Sequence, residues 1–127
     1  MALVFYGRSS SATQESGLAA QIERAKALGI DEDHIFAELV SGKSKDNRPK
    51  LAEMLRFVRK RDTLVVTKLD RLGRSAADLH AIAQQLQEKG VNLRVLDQSI
   101  DTSTSAGRAL FGMIAVFAEF ERDLIEE

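Results

Sequence analysis

The sequence predicts an α/β domain: a three-layer sandwich around a mostly parallel central sheet of about four strands, followed by a long C-terminal helix. Three observations carry that prediction. Short apolar and β-branched runs alternate with segments of helical periodicity, the pattern of a parallel sheet covered by crossover helices. The chain has 127 residues, the length of about one domain, and can bury a real core without covalent staples. Its 44% hydrophobic and 29% charged residues, with one proline and eight glycines, give no sign of a linker or low-complexity tract.

The elements follow in order. Leu3-Val4-Phe5-Tyr6 is a short apolar run and reads as a buried strand. Leu18, Ile22, Ala25 and Leu28 recur at helical spacing, and Gly29 is a suitable stop. His34 to Leu39 reads as a second strand. Ser41 to Arg48 is a polar loop, and Pro49 suits the first turn of a helix with Leu51, Met54, Leu55 and Val58 on one face. Thr63 to Thr67 is β-branched and apolar, a central strand. Ser75 and Asp78 form an S-x-x-D capping box before a helix carrying Leu79, Ile82, Ala83 and Leu86. Gly90 ends that helix, and Val91 to Leu96 is another strand. The last helix differs: between Ala109 and Phe120 its only charge is Glu119. A helix apolar nearly all round must be covered on more than one side, and a second subunit is the expected cover. The segment after it, Glu121 to Glu127, keeps helical character with no stop signal, as if the chain were cut in mid-helix.

The net charge of −1 hides a segregation of sign. Residues 41–74 hold eleven basic against four acidic side chains, a candidate anion-binding surface. The absence of cysteine excludes disulfides and thiolate metal sites and fits a reducing compartment. No apolar run approaches the ~18 residues of a membrane span, and the start does not resemble a signal peptide, so a cytoplasmic chain is expected.

In parallel α/β sheets, sites gather beyond the carboxyl ends of the strands. Arg8-Ser9-Ser10-Ser11 follows the first strand, and Lys68-Leu69-Asp70-Arg71-Leu72-Gly73-Arg74 follows the third. If the first strand stays extended past Tyr6, Arg8 and Ser10 point to one side and Ser9 to the other. Guanidinium forks suit phosphate, so a serine beside an arginine cluster suggests attack on a phosphodiester. A Ser-His-Asp hydrolase is disfavoured, because His34 and His80 fall in a strand and on a helix away from these loops. The same two histidines make a poor set of transition-metal ligands, and no nucleotide-binding fingerprint is present. An acidic phosphoacceptor cluster is lacking at the first strand's end, which carries Arg8. The simplest reading of Tyr6 is core packing, and of Gly73 a turn before the helix.

These residues resemble the serine site-specific recombinases of the resolvase and invertase type. Tyr6-Gly-Arg-Ser-Ser10 resembles that family's Y-x-R-x-S signature. Ser41-Gly42 with Asn47-Arg48-Pro49 resembles its mobile-loop region. Lys68 to Arg74 resembles its best-known motif, Ile100 to Arg108 the lead into its long helix, and Glu119-Phe-Glu-Arg122 the pattern on that helix. The five matches occur in order across nearly the whole chain.

The resemblance implies a resolvase-like catalytic core over residues 1–104 and, over 105–127, the start of a long dimerisation helix, with the C-terminal DNA-binding domain absent. It implies that Ser10 is the nucleophile, although the residues alone leave Ser9 and Ser11 open. Arg8, Arg48, Arg71 and Arg74 would hold the scissile phosphate, and Asp70 would orient arginines or assist proton transfer to the leaving oxygen. Gln21, Glu127 and Tyr6 would support the site, and Lys43, Lys45 and Lys68 would contact the DNA backbone. Leu110, Met113, Ile114, Phe117 and Phe120 would form the oligomer interface. The implied reaction cuts and rejoins double-stranded DNA through a 5′-phosphoserine link, without metal or nucleotide cofactor. A homodimer would assemble into a homotetramer, in a protein of bacterial or mobile-element origin. The rival within the family is a catalytically inactive DNA-bound dimerisation module. One departure stands out: Phe57 occupies a place where small resolvases often carry a basic residue.

Overall fold

The computed structural model describes residues 2–9, 15–39 and 48–126, with backbone alone for 15, 16, 114, 115 and 118–126. Along the chain run β1 (Leu3–Ser9), α1 (Glu15–Ala27), β2 (Ile35–Leu39), α2 (Pro49–Phe57), β3 (Thr63–Val66), α3 (Ala76–Lys89), β4 (Asn92–Val95), β5 (Ile100–Asp101) and α4 (Ser105–Glu126). The strands form one sheet in the order β2-β1-β3-β4-β5. β1 is parallel to β2 and β3, and β3 to β4, whereas β5 is antiparallel to β4. The sheet therefore has five strands where the sequence predicted about four. The addition, β5, pairs only Ile100 and Asp101 with Val95 and Arg94, too short a run to show a period.

Side-chain alternation along β1 builds the three layers. Val4 and Tyr6 join Leu51, Met54 and Val58 of the α2 region and Leu79, Ile82 and Leu86 of α3 on one face. Phe5 and Val65 meet Ala25 and Ile30 on the α1 face. The strand order reverses at β1, since the chain goes out to β2 and returns across β1 to β3. Connections leaving β1 and β3 then diverge to opposite faces, and a crevice opens beyond their carboxyl ends.

The boundaries have local causes. Ser75 Oγ accepts from the Asp78 N–H at 3.1 Å, as a helix cap should. Gly90 takes φ 76°, the left-handed conformation that ends a helix at low cost. His34 is corrected from strand to a 3₁₀ turn over Glu32–His34. There its N–H bonds the Asp31 carbonyl at 2.8 Å, a local bond that keeps the polar run out of the ladder. In α4, Phe111 packs against the core. Leu110, Met113, Val116 and Phe117 stay 42%, 68%, 67% and 58% exposed.

Candidate active site

The site lies at the carboxyl ends of β1 and β3. Tyr6 and Arg8 lie on one side of β1, and Ser9 alternates to the other. Ser9 is 1% exposed, and its Oγ lacks a hydrogen-bond partner among the described residues. Gln21 of α1 straps the end of the strand. Its Oε1 accepts from Arg8 N–H and its Nε2 donates to Arg8 O, both at 3.2 Å. A Cβ on Gly7 would stand 2.9 Å from Gln21 Oε1 and 3.1 Å from Phe5 Cε1, so a side chain there would push against the strap.

Below Arg8, Tyr6 OH donates to Glu38 Oε2 at 2.6 Å. The same carboxylate accepts from the N–H groups of Lys50 and Leu51, at 3.0 and 3.1 Å. An acid from β2 thus satisfies the open N-terminus of α2 and fixes where Arg48, which precedes that helix, begins. Arg48 then reaches α3, where Nη1 and Nη2 donate to the two Asp78 oxygens at 2.9 and 3.0 Å. Nη1 also lies 3.5 Å from the Leu72 carbonyl oxygen.

The loop after β3 closes on Arg8. Arg8 Nη2 donates to the Asp70 carbonyl, and Arg71 Nη1 donates to the Arg8 carbonyl at 3.2 Å. Leu69 to Arg71 form a 3₁₀ turn, held from β4's side by the Leu69 N–H bond to Gln98 Oε1 at 2.8 Å. Gly73 serves a purpose other than the expected turn conformation. A Cβ there would lie 2.8 Å from Leu79 Cα, so the loop end presses directly on α3. Arg74 N–H donates to Asp78 Oδ2 at 2.9 Å, and its Nε lies 3.8 Å from the same oxygen.

Three guanidiniums are therefore drawn to one strand end. Burial pulls Arg8 below the ordinary arginine value; Tyr6 and Asp78 oppose the shift, while Arg48 and Arg71 reinforce it. All remain cations, so their repulsion favours an anion set among them. Burial also opposes the charge of Arg48, but the Asp78 hydrogen bonds outweigh it and raise its pKa. Burial likewise disfavours the Asp78 carboxylate, yet Arg48 and the Arg74 N–H hold it below the usual range. The Tyr6 phenol is driven far above its ordinary value, by burial first and the Glu38 carboxylate second.

The structure brings together Tyr6, Arg8, Gln21, Arg48, Asp70, Arg71 and Arg74. Asp70 meets Arg8 through its main-chain carbonyl, and its side chain is exposed, as are Lys68 and Arg74. Ser10, Lys43, Lys45 and Glu127, and the side chains of Ile114 and Phe120, lie outside the described residues. Phe57 packs its ring against His34 and Phe36 at centroid distances of 5.2 and 5.3 Å. An aromatic contact thus occupies that place. Two residues escaped the sequence reading. Glu38 is an acid inside the apolar run Ile35–Leu39, a signal in itself because a buried acid needs partners. The sequence places Asp78 in a helix cap, but its carboxylate turns to Arg48 and the Arg74 N–H instead.

The family model for the resolvase N-terminal domain matches residues 3–127. The transposon Tn552 resolvase of Staphylococcus aureus is 44% identical over 124 residues, which cover 96% of this chain and 60% of that protein. The DNA-invertase hin of Salmonella typhimurium is 43% identical over 127 residues, covering 100% of this chain and 64% of that protein. The chain thus spans roughly three-fifths to two-thirds of the length of these curated relatives. Among solved structures, a resolvase family site-specific recombinase from Streptococcus pneumoniae matches with a TM-score of 0.78 at 30% identity, covering 99% of this chain and 91% of that one. The N-terminal catalytic domain of TP901-1 integrase matches with a TM-score of 0.76 at 26% identity, covering 98% of each. With a fold, a sheet-end arginine cluster and a sequence that agree along its length, the chain belongs to the resolvase family.

Proposed function

We propose that this chain is the catalytic domain of a site-specific recombinase that cuts and rejoins double-stranded DNA through a 5′-phosphoserine intermediate. The observation that carries the reading is the convergence of Arg8, Arg48 and Arg71 at the end of β1, where the next residue after the buried Ser9 is Ser10. Ser10 attacks the scissile phosphorus, the 3′ oxygen leaves, and the phosphoserine bond conserves the energy needed for rejoining. Arg8, Arg48, Arg71 and Arg74 stabilise the charge that develops on the phosphoryl oxygens, a preorganised electrostatic effect. Asp70 serves by orienting Arg8, a role supported by its carbonyl contact. Tyr6 and Gln21 hold the strand that carries Arg8, and Glu127 supports the reaction as a further acid. Lys43, Lys45 and Lys68 meet the DNA backbone.

The reaction takes no metal and no ATP. Residues 1–104 form the core, and α4 begins the helix through which two copies pair and dimers join as a tetramer. The exposed Leu110, Met113 and Phe117 support that interface, which Ile114 and Phe120 extend. Sequence-specific binding belongs to a further DNA-reading domain, and the protein works in the cytoplasm of a bacterium. Among the described residues no helix is long and apolar enough to cross a membrane.

The test joins the chain to a heterologous DNA-binding module and supplies a paired-site duplex with EDTA present. The expected product is an SDS-resistant adduct on the 5′ end and a free 3′ hydroxyl on the other. A fusion that binds its sites as a dimer yet forms no adduct is the non-catalytic module instead.

A further inference from the structure

Arg48 and Asp78 meet in a way that uses only part of the guanidinium. An arginine carries five N–H donors in a rigid planar fork with two bidentate edges. The edge made by Nη1 and Nη2 is taken by the two Asp78 oxygens at 2.9 and 3.0 Å, and the outer Nη1 hydrogen faces the Leu72 carbonyl. The other edge, Nε with the second Nη2 hydrogen, has no partner among the described residues. The pair is mostly buried, with side-chain exposures of 10% and 20%. Asp78 Oδ2 also accepts from the Arg74 N–H at 2.9 Å, so one carboxylate ties together both arginine-bearing loops. A mostly buried ion pair contributes little net stability over an apolar replacement, but it fixes geometry.

We infer that Asp78 is a positioning residue, which grips one edge of Arg48 so that the opposite Nε–Nη2 edge is presented to the scissile phosphate. The inference rests on the recombinase reading above. Asp78 touches no reacting atom and acts chiefly through Arg48, whose fork it grips with both oxygens, whereas Arg74 meets only Oδ2. Asp78→Asn keeps one acceptor for the fork but loses the charge and the symmetric grip.

Two measurements test it. In the 15N-arginine NMR spectrum of the whole chain, the bidentate grip slows rotation of the Arg48 fork, so its Nη protons give resolved signals. Asp78→Asn merges them by faster exchange. Rapidly averaged Arg48 signals in the wild type overturn the inference, whatever becomes of any variant. The second measurement is a double-mutant cycle on the rate of adduct formation, in the DNA-binding fusion. Asp78→Asn slows the wild type by about 10- to 100-fold, the scale of a small misplacement of a reacting group. In an Arg48→Ala background the same change costs at least about fivefold less than in the wild type, the remainder acting through Arg74, which Asp78 also holds. Losses that multiply assign Asp78 a general structural role and overturn the inference. A wild-type fusion that binds its sites but forms no adduct overturns the recombinase reading itself, a result distinct from a wild type that cuts and a cycle that multiplies.

Discussion

Glu38→Ala is the substitution whose cost the structure sets most directly. Glu38 is 8% exposed and accepts from Tyr6 OH, Lys50 N–H and Leu51 N–H. Losing the acceptor at the α2 N-terminus costs about 1 kcal/mol, the usual worth of a cap. Leaving the buried Tyr6 phenol without a partner costs about 1–3 kcal/mol. Release of the carboxylate from burial offsets part of this, leaving about 2 kcal/mol in all. With a denaturant slope of about 1–3 kcal/mol/M in urea, the unfolding midpoint falls by about 0.7–2 M. Urea titration followed by circular dichroism measures it. Adding Tyr6→Phe removes the orphaned hydroxyl, so the double variant recovers about 1–2 kcal/mol relative to additivity. The chain's single tyrosine supplies a second readout. Because the folded phenol is raised above the unfolded value, its contribution is complete below about pH 10 and is lost as pH rises further. That alkaline loss is absent in Tyr6→Phe. A Glu38→Ala protein within about 0.5 kcal/mol of wild type, the range of an ordinary surface change, refutes the reasoning.

Other expectations follow from the same contacts. The folded Asp78 carboxyl is held low, so its stabilising contribution is present above about pH 4 and is lost as pH falls through the folded value. The stability gap between wild type and Asp78→Asn is therefore full at pH 7 and closes in acid, as thermal unfolding across pH records. Gly73→Ala places a methyl 2.8 Å from the Leu79 backbone. It destabilises by about 1–3 kcal/mol, as overpacking does, and chemical denaturation measures the loss. Arg61 holds φ at 78° without being glycine. Arg61→Gly relieves left-handed strain of about 1–2 kcal/mol against a smaller entropic loss, so the unfolding temperature rises slightly. Replacing the exposed Met113 and Phe117 with serine shifts sedimentation toward the monomer while circular dichroism stays unchanged.

The fold was legible because its signals are local and repeated. The Thr63–Thr67 run, the Ser75 cap and the Gly90 stop each fix an element boundary without reference to the rest of the chain. What escaped depends on contacts distant in sequence. Two residues of β5 exist only because Val95 and Arg94 are there to pair with them. His34 reads as strand because it borders an apolar run, yet its N–H closes a turn first. Within the site, the arginines were legible as a basic cluster beyond strand ends, since guanidinium chemistry belongs to the residue type. Their partners were harder to see. Asp78 lies 30 residues from Arg48 and Glu38 lies 32 from Tyr6, so neither pairing leaves a mark on local spacing. Gly73 shows the same limit, because a turn and a tight approach ask for the same residue.

The central claim, that a serine at the end of β1 attacks DNA, is tested most directly by locating the covalent bond. The wild-type fusion and its Ser9→Ala, Ser10→Ala and Ser11→Ala variants are incubated with a paired-site duplex and EDTA. Adducts are trapped in SDS, digested and mapped by mass spectrometry. The account predicts a nucleotide-modified peptide phosphorylated at Ser10, absent only from Ser10→Ala. An adduct that persists in Ser10→Ala, or that maps to the buried Ser9 or to Ser11, contradicts it.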